Sequence, residues 1–218
     1  MAPGERRPGH IVLLGDSIFD NAAYTRGAPD VVTHLQRLLP SGWRATSLAV
    51  DGATTADLTA QLRRVPADAT QLAIAIGGND ALQNSDLLSL RVTSSAQALE
   101  VFAERVAEFD QAYRAAIRAA VALGHPTAVC TVYNGALEED RARIARVALA
   151  LFNDVILRTA IDLHLDAIEL RSLCTEPDDY ANPIEPSGKG GLKIARAIAR
   201  VAGAVAGASQ PSRIWTGR

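Results

Sequence analysis

The size and charge of the chain favour one α/β domain that acts on a small molecule. It has 218 residues, 48% of them hydrophobic, with a formal net charge of −2 and an isoelectric point of about 6.1. Such a chain presents no large basic surface for nucleic acid or an anionic membrane. We expect a single domain over 1–218, with flexible tails at 1–9 and 208–218. The sequence does not indicate an oligomeric state.

The amino-terminal segment lacks the pattern of a signal peptide or a membrane span. Its apolar run, 11–14, is interrupted by Gly15 and Asp16, and this is shorter than a signal peptide requires. We therefore expect a cytoplasmic protein. Cys130 falls in a predicted strand and Cys174 in a predicted loop, which favours two reduced thiols. No metal-ligand spacing occurs, and we expect no cofactor.

Short β-rich runs alternate with longer helical patterns along the chain, which is typical of right-handed βαβ units. Strands are predicted over 11–15, 44–49, 71–77, 127–133 and 167–170. Helices are predicted over 28–39, 56–64, 95–123, 138–163 and 187–206. Together they predict a three-layer α/β/α, flavodoxin-like fold with five parallel strands in the order 2-1-3-4-5.

Several predicted helices carry signals of their own. Thr55 is expected to cap the second helix and Ser94 or Ser95 the third, which Gly124 then stops. In the fourth helix, apolar residues at steps of three and four positions predict one buried stripe. The stripe consists of Ile144, Val147, Ala148, Leu151, Phe152, Val155 and Ile156.

Polar or glycine-rich loops follow the predicted strands at four places. Ser17 comes directly after the first strand, Gly52 after the second, and Asn79 in a Gly-Gly-Asn-Asp run after the third, while Glu185 precedes the last helix. The carboxyl ends of parallel strands share one edge of a sheet, where ligands bind, so these residues are expected to meet there. Acyl transfer needs a nucleophilic oxygen and N–H donors for the oxyanion. The pattern favours Ser17 as a nucleophile.

The order of these short motifs resembles that of the SGNH or GDSL hydrolase superfamily over nearly the whole chain. Gly-Asp-Ser at 15–17 is similar to the first block of the superfamily, Gly52 to the second, and 77–80 to the third. The resemblance implies a serine esterase or acylhydrolase that acts on a small ester through an acyl-enzyme. It also implies an oxyanion hole formed by the N–H groups of Ser17 and Gly52 and the side chain of Asn79.

The fifth block departs from the superfamily, which has Asp-x-x-His before the final helix. Asn182 stands at the aspartate position and Glu185 at the histidine position. Every histidine either precedes a strand at the opposite edge or lies in the first helix: His10, His34, His125 and His164. A carboxylate base is feasible, because its lower pKa costs only about tenfold in rate. We expect Glu185 to be the base, oriented by Asn182 or a backbone amide.

Other interpretations stay open. Glu185 could simply be an acidic residue near a helix N-terminus that Ser187 caps. The long segment 81–93 is expected to be a lid or substrate wall, in which Arg91 could bind an anionic group, and Tyr133 could line the pocket. Alternative functions are an acyltransferase and a non-catalytic or weakly active binding module. A flavin or nucleotide carrier is disfavoured, because no phosphate-binding loop follows the first strand.

Overall fold

The computed structural model describes residues 8–205, 212, 214 and 216. At its centre is an all-parallel sheet of five strands in the order β2-β1-β3-β4-β5. The strands are β1 (His10–Gly15), β2 (Arg44–Ser47), β3 (Gln71–Ala75), β4 (Thr127–Cys130) and β5 (Asp166–Ile168). The predicted fold class and strand order are therefore confirmed.

Helices cover both faces of the sheet. Those within the described residues are α1 (Val31–Leu38), α2 (Leu58–Leu62), α3 (Gly78–Gln83), α4 (Ser95–Val121), α5 (Glu139–Asp162), α6 (Leu170–Leu173) and α7 (Gly188–Val201). Short 3-10 helices occur at Ala22–Tyr24, Thr55–Asp57, Ser85–Ser89 and Pro177–Asp179. Helices α2, α4 and α5 pack on one face, and α1, α6 and α7 on the other.

The first strand shows why its sequence is a continuous apolar run. Val12 and Leu14 belong to the core on one face of the sheet, and Ile11 and Leu13 to the core on the other. A strand in the middle of a parallel sheet is buried on both faces, so its residues do not alternate between apolar and polar. This burial anchors the loop that follows β1.

The helix ends confirm some of the predicted caps and correct one. Ser94 accepts a hydrogen bond from the Gln97 N–H and caps α4 as expected. Thr55 is not the cap of the second helix, because Thr54 forms the capping box there with Asp57. Thr55 instead donates from its hydroxyl to Asp80 Oδ1 in the first turn of α3, so its side chain is not available for capping.

The segment 81–93 is not an extended connection. Helix α3 continues through Gln83, and the 3-10 helix Ser85–Ser89 follows it directly. The side-chain amide of Asn84 donates to the Asp80 carbonyl and so satisfies a carbonyl near the end of α3. Two short helices therefore replace the long loop that the sequence predicts at 81–93.

The apolar stripe of α5 is buried only in the carboxyl-terminal half of the helix. Val155 and Ile156 are fully buried, whereas Ile144 and Val147 are 52% and 69% exposed. Ala148 of the amino-terminal half lines an open cleft. The prediction of one continuous buried stripe is wrong, because in this half of the helix Ile144 and Val147 face solvent and Ala148 borders the cleft.

Most of the expected tails, 1–9 and 208–218, lies outside the described residues. Gly9, which is described, accepts a hydrogen bond from the Arg44 N–H at 2.9 Å and so continues the pairing of β1 with β2. Cys130 and Cys174 are both buried and free. Among the helices of the described residues, none is both long enough and apolar enough to span a bilayer.

Candidate active site

An open cleft of about 130 Å³ lies beside the loops that follow β1 and β3. At its polar end are Asp16, Ser17, Asn79 and Glu185. The rest of the cleft is apolar and is formed by α3, the 3-10 helix after it, α4, α5 and the loop before α5. The largest apolar side chains there are Leu82, Leu88, Phe102, Leu137, Leu149 and Phe152. The cleft therefore joins a small polar centre to an apolar wall.

The turn after β1 holds Ser17 at this polar end. Gly15 has a φ of +131°, and a Cβ at this position would lie 1.7 Å from the carbonyl oxygen of Ala75. Only glycine fits so close to the neighbouring strand. The Asp16 N–H donates to the same carbonyl, and the Asp16 carbonyl accepts from Phe19 N–H. The backbone on both sides of Ser17 is thus fixed.

Ser17 and Glu185 are in direct contact although they are 168 positions apart in the chain. The Ser17 hydroxyl donates to Glu185 Oε1 with an Oγ–Oε1 distance of 3.1 Å. Both residues are buried, and Glu185 Oε2 has no hydrogen-bond partner within the part of the chain that the structure describes. Burial raises the pKa of the Glu185 carboxyl, the hydrogen bond from Ser17 lowers it, and the charge of Asp51 raises it.

The loop that carries Glu185 is held by its backbone. Asn182 Oδ1 accepts from the N–H groups of Ile184 and Glu185, each at 2.9 Å. Tyr133 Oη donates to the Ile184 carbonyl at 2.7 Å. Asn182 therefore orients the backbone of Glu185 and has no hydrogen bond to its carboxylate. Ser187 caps α7 directly after this loop, by accepting from two N–H groups of the first turn.

Asn79 lies in the first turn of α3 and Gly52 in the loop after β2, and hydrogen bonds tie these two segments together. Asn79 Nδ2 donates to the carbonyl of Ala53 at 2.9 Å. Asp80 accepts from the N–H and the hydroxyl of Thr55 in the same loop. A side-chain amide has two N–H donors, so the contact with Ala53 leaves one for a ligand. Gly52 has a φ of +79°, which favours glycine in this turn.

Asp16 is a second buried carboxyl group in the site. It is 1% exposed, and its Oδ1 accepts from the Ile18 N–H at 3.0 Å. Its Oδ2 has no partner within the described residues. Burial raises the pKa of Asp16 to about 7, with smaller increases from the charges of Glu185 and Asp80. Asp16 therefore organises the turn after β1 and is largely protonated below neutral pH.

A polar rim lies on the solvent side of Glu185. Tyr24 Oη donates to Asp51 Oδ2 at 2.5 Å, and the Asp51 N–H donates to Asp20 Oδ2 at 2.9 Å. The hydrogen bond to Asp51 is the main cause that raises the pKa of Tyr24 to about 12. No motif in the sequence singled out Asp20 or Tyr24, because neither belongs to the short blocks around Ser17, Gly52 and Asn79.

The two residues predicted to bind substrate, Tyr133 and Arg91, lie in different places in the fold. Tyr133 lines the cleft, whereas Arg91 is exposed and is not among the residues that line it. The segment 81–93, which we expected to be a lid or substrate wall, lines the cleft through Ala81, Leu82, Asn84, Ser85 and Leu88. The contribution of α4 and α5 to the apolar wall was not predicted, because the stripe of α5 is compatible with either a core or a cleft.

The fold and this site define the class of protein to which the chain belongs: a three-layer α/β/α protein of the SGNH fold, with its candidate site beside the loops after β1 and β3. The GDSL-like Lipase/Acylhydrolase family matches residues 13–190. The chain therefore belongs to that family. No curated protein matches it by sequence.

Solved structures with the same fold include enzymes that act on esters. An extracellular lipase from Streptomyces rimosus has a TM-score of 0.64 at 18% identity, covering 88% of this chain and 99% of the lipase. An α/β hydrolase from the metagenome of Lake Arreo has a TM-score of 0.68 at 19% identity, covering 91% and 97%. An acetylxylan esterase from Geobacillus stearothermophilus has a TM-score of 0.63 at 21% identity, covering 89% and 94%.

Proposed function

We propose that the protein is a serine ester hydrolase in which Glu185 acts as the general base in place of a histidine. The observation that carries this proposal is the 3.1 Å contact between Ser17 Oγ and Glu185 Oε1 at the end of an open cleft. A nucleophile and a base within hydrogen-bond distance satisfy the geometric requirement for proton transfer. The alternative role of Glu185, an acid near a helix N-terminus, does not account for this contact.

The first half of the reaction forms an acyl-enzyme. Ser17 Oγ attacks the ester carbonyl carbon while its proton passes to Glu185 Oε1. The oxyanion of the tetrahedral intermediate accepts hydrogen bonds from the Ser17 and Gly52 N–H groups and from the second N–H of Asn79. The intermediate collapses as the bond to the leaving oxygen breaks, and the proton on Glu185 passes to that oxygen. The alcohol then departs.

Water completes the reaction in the second half. A water molecule attacks the acyl carbonyl and gives a proton to Glu185, the same oxyanion donors stabilise the second intermediate, and Ser17 recovers the proton as the acid leaves. The polar rim formed by Asp20, Tyr24 and Asp51 is open to solvent and gives water access to the side of Glu185. No step requires a metal or cofactor.

A carboxylate suits this position because it needs no second hydrogen-bond partner to orient it, whereas an imidazole does. An imidazole base needs a partner on its second nitrogen to hold the correct tautomer. A carboxylate needs none, and the turn formed by Asn182 already directs the backbone of Glu185. The burial that raises the Glu185 pKa also brings its basicity closer to that of histidine.

The structural neighbours support an ester as the substrate. Two further structures of the Geobacillus stearothermophilus acetylxylan esterase are of catalytic mutants, one with a serine and one with a histidine replaced by alanine. In this chain the pairing of serine with a base is retained, and the base is a carboxylate.

Covalent labelling tests the proposal. A fluorophosphonate should add one label per chain at Ser17, located by peptide mass spectrometry, and the wild type should hydrolyse p-nitrophenyl butyrate. Ser17→Ala should remove both while the protein still folds, because a loop hydroxyl contributes little to the core. A wild type without label or turnover would be a binding module. An acyltransferase would be labelled but would give transesterified product when an alcohol acceptor is added.

A further inference from the structure

The cleft is lined by acidic groups and by no basic ones. Among the residues of 8–205 that line it, the only acidic or basic side chains are those of Asp16 and Glu185, and neither faces a cation. Asp16 Oδ2 and Glu185 Oε2 are both buried without a hydrogen-bond partner in that range. The polar rim adds the carboxylates of Asp20 and Asp51. Within the described part of the chain, no Lys, Arg or His side chain lines the cleft to neutralise an anionic ligand.

This arrangement penalises a second anion in two ways. Glu185 must be ionised to act as the base, so an anionic ligand is repelled at close range by a poorly screened charge. A carboxylate on the apolar side would also lose its hydration without gaining a partner. An uncharged methylene group on the same side gains up to about fourfold in binding, because the apolar wall removes it from water.

The two sides of Ser17 differ in their access to water. The cleft, formed by α3 to α5, is lined by apolar side chains that include Leu82, Phe102 and Leu149 and exclude water where they pack against a ligand. The opposite side, with Gly52 and Asp51, is exposed to solvent. Because water must replace the alcohol in the second half of the reaction, the leaving group belongs on the exposed side. The acyl group then occupies the cleft.

We propose that the cleft selects substrates by charge: it accepts esters with an uncharged apolar acyl group and rejects esters whose acyl chain ends in a carboxylate. This selection rests on the proposed function and goes beyond it, because it follows from the carboxylate base and the absence of a cation in the lining.

Hydrolysis of three esters with the same six-carbon chain tests the selection. The substrates are p-nitrophenyl hexanoate, mono-p-nitrophenyl hexanedioate, and the methyl ester of the latter, which is polar but uncharged. We expect kcat/KM for the anionic ester to be at least thirtyfold below that for hexanoate, after correction for the rates with hydroxide alone. The methyl ester should remain within about fivefold of hexanoate. Equal rates for the anionic and methyl esters would overturn the selection.

Binding separates this proposal from the hydrolytic function. Octan-1-ol, octylammonium and octanoate are titrated against the neutral dye Nile red bound to the wild type. Octanoate should bind at least tenfold more weakly than octan-1-ol, and octylammonium at least as tightly. Glu185→Gln should reduce the difference between octanoate and octan-1-ol. If this ranking holds without turnover of any ester, the hydrolytic function fails and the selection stands. Turnover without the ranking overturns the selection alone.

A pair of variants on α5 locates the ligand. Ala148→Trp fills the cleft and should weaken binding of octan-1-ol by at least tenfold. Val147→Trp, at the neighbouring position that is 69% exposed, is the matched control and should leave binding unchanged. Equal effects of the two variants would show that the ligand binds outside the cleft, which contradicts the proposal.

Discussion

The two ends of the strands hold two buried ionisable residues in opposite situations. At the start of β1, His10 is 3% exposed, and both of its ring nitrogens have partners, Asp68 Oδ1 at 3.3 Å and Thr46 Oγ1 at 2.9 Å. At the other end, Glu185 contacts Ser17 through one oxygen and leaves the other free. His10, the residue type usually associated with a general base, therefore has a structural role, while Glu185 keeps one carboxylate oxygen without a hydrogen-bond partner.

Burial acts on these two groups in opposite directions. It lowers the pKa of His10, with a further decrease from the charge of Arg44, because burial disfavours a cation. It raises the pKa of Glu185, because burial disfavours an anion. The comparison teaches that burial brings the basicity of a carboxylate toward that of a histidine. It also teaches that a side-chain atom without a structural hydrogen-bond partner is a better guide to a candidate base than residue type.

The largest expected effect separates the two residues directly. Glu185→Gln keeps the size of the side chain but removes the base, so ester turnover should fall about 10³-fold with little change in stability. His10→Gln should leave kcat within a small factor of wild type and cost roughly 1–2 kcal/mol of stability through its lost hydrogen bonds. Steady-state kinetics and urea unfolding measure the two effects. Turnover by Glu185→Gln at the wild-type rate would exclude the carboxylate base.

The second largest effect is expected at Asn79, the proposed oxyanion donor. Asn79→Ala should lower kcat by about 10²- to 10³-fold with little change in KM, because the interaction is stronger in the transition state than with substrate. Gln97 is the control: its side-chain amide oxygen accepts from the Thr93 N–H and hydroxyl at the start of α4, and it does not line the cleft. Gln97→Ala should turn over nearly as wild type. A change confined to KM in Asn79→Ala would assign that residue to binding.

The buried Asp16 gives stability a dependence on pH. Its pKa is raised to about 7 in the folded protein, above an unfolded value of about 3.9. A carboxyl group whose pKa is raised stabilises the fold below the unfolded pKa, and this stability is lost as pH rises through the folded pKa. The free energy of unfolding should fall by about 2 kcal/mol between pH 5.5 and pH 8 from this group.

Asp16→Asn tests that dependence, since asparagine retains an acceptor for the Ile18 N–H but does not ionise. Urea unfolding at both pH values should show the decrease in wild type and a flatter profile in the variant. An identical decrease in both proteins would mean that another group titrates.

The smallest expected effect exchanges the base itself. Glu185→His should retain activity to within about tenfold of wild type, because the two bases differ by about two pKa units before burial is counted. Adding Asn182→Asp should raise activity by supplying a carboxylate near the imidazole while still accepting the backbone N–H groups of the turn. The acidic limb of the pH profile should move to the pKa of histidine. An acidic limb of the pH profile that does not move would show that the residue at position 185 is not the group whose ionisation controls activity.

Much of the fold was predicted because its signals are local. Apolar runs bounded by turn residues located all five strands, and the alternation with helices implied a parallel sheet. The structure confirmed the order 2-1-3-4-5. Element boundaries were less accurate: the strand predicted over 127–133 ends at Cys130. A loop that remains buried after a strand is also apolar, so the apolar run continues past the end of the strand. A prediction from hydrophobicity therefore overestimates the length of the strand.

The candidate site likewise has features that the sequence predicted and features that only the tertiary structure decided. The sequence itself determined that Ser17, Gly52 and Asn79 follow strands β1, β2 and β3, and it aligned Glu185 with a family histidine. Only the tertiary structure decided that Glu185 reaches Ser17, that Asn182 contacts the backbone rather than the carboxylate, and that half of α5 borders a cleft. The reason is physical: turn and strand signals act over a few residues, whereas contacts and burial depend on how distant segments pack.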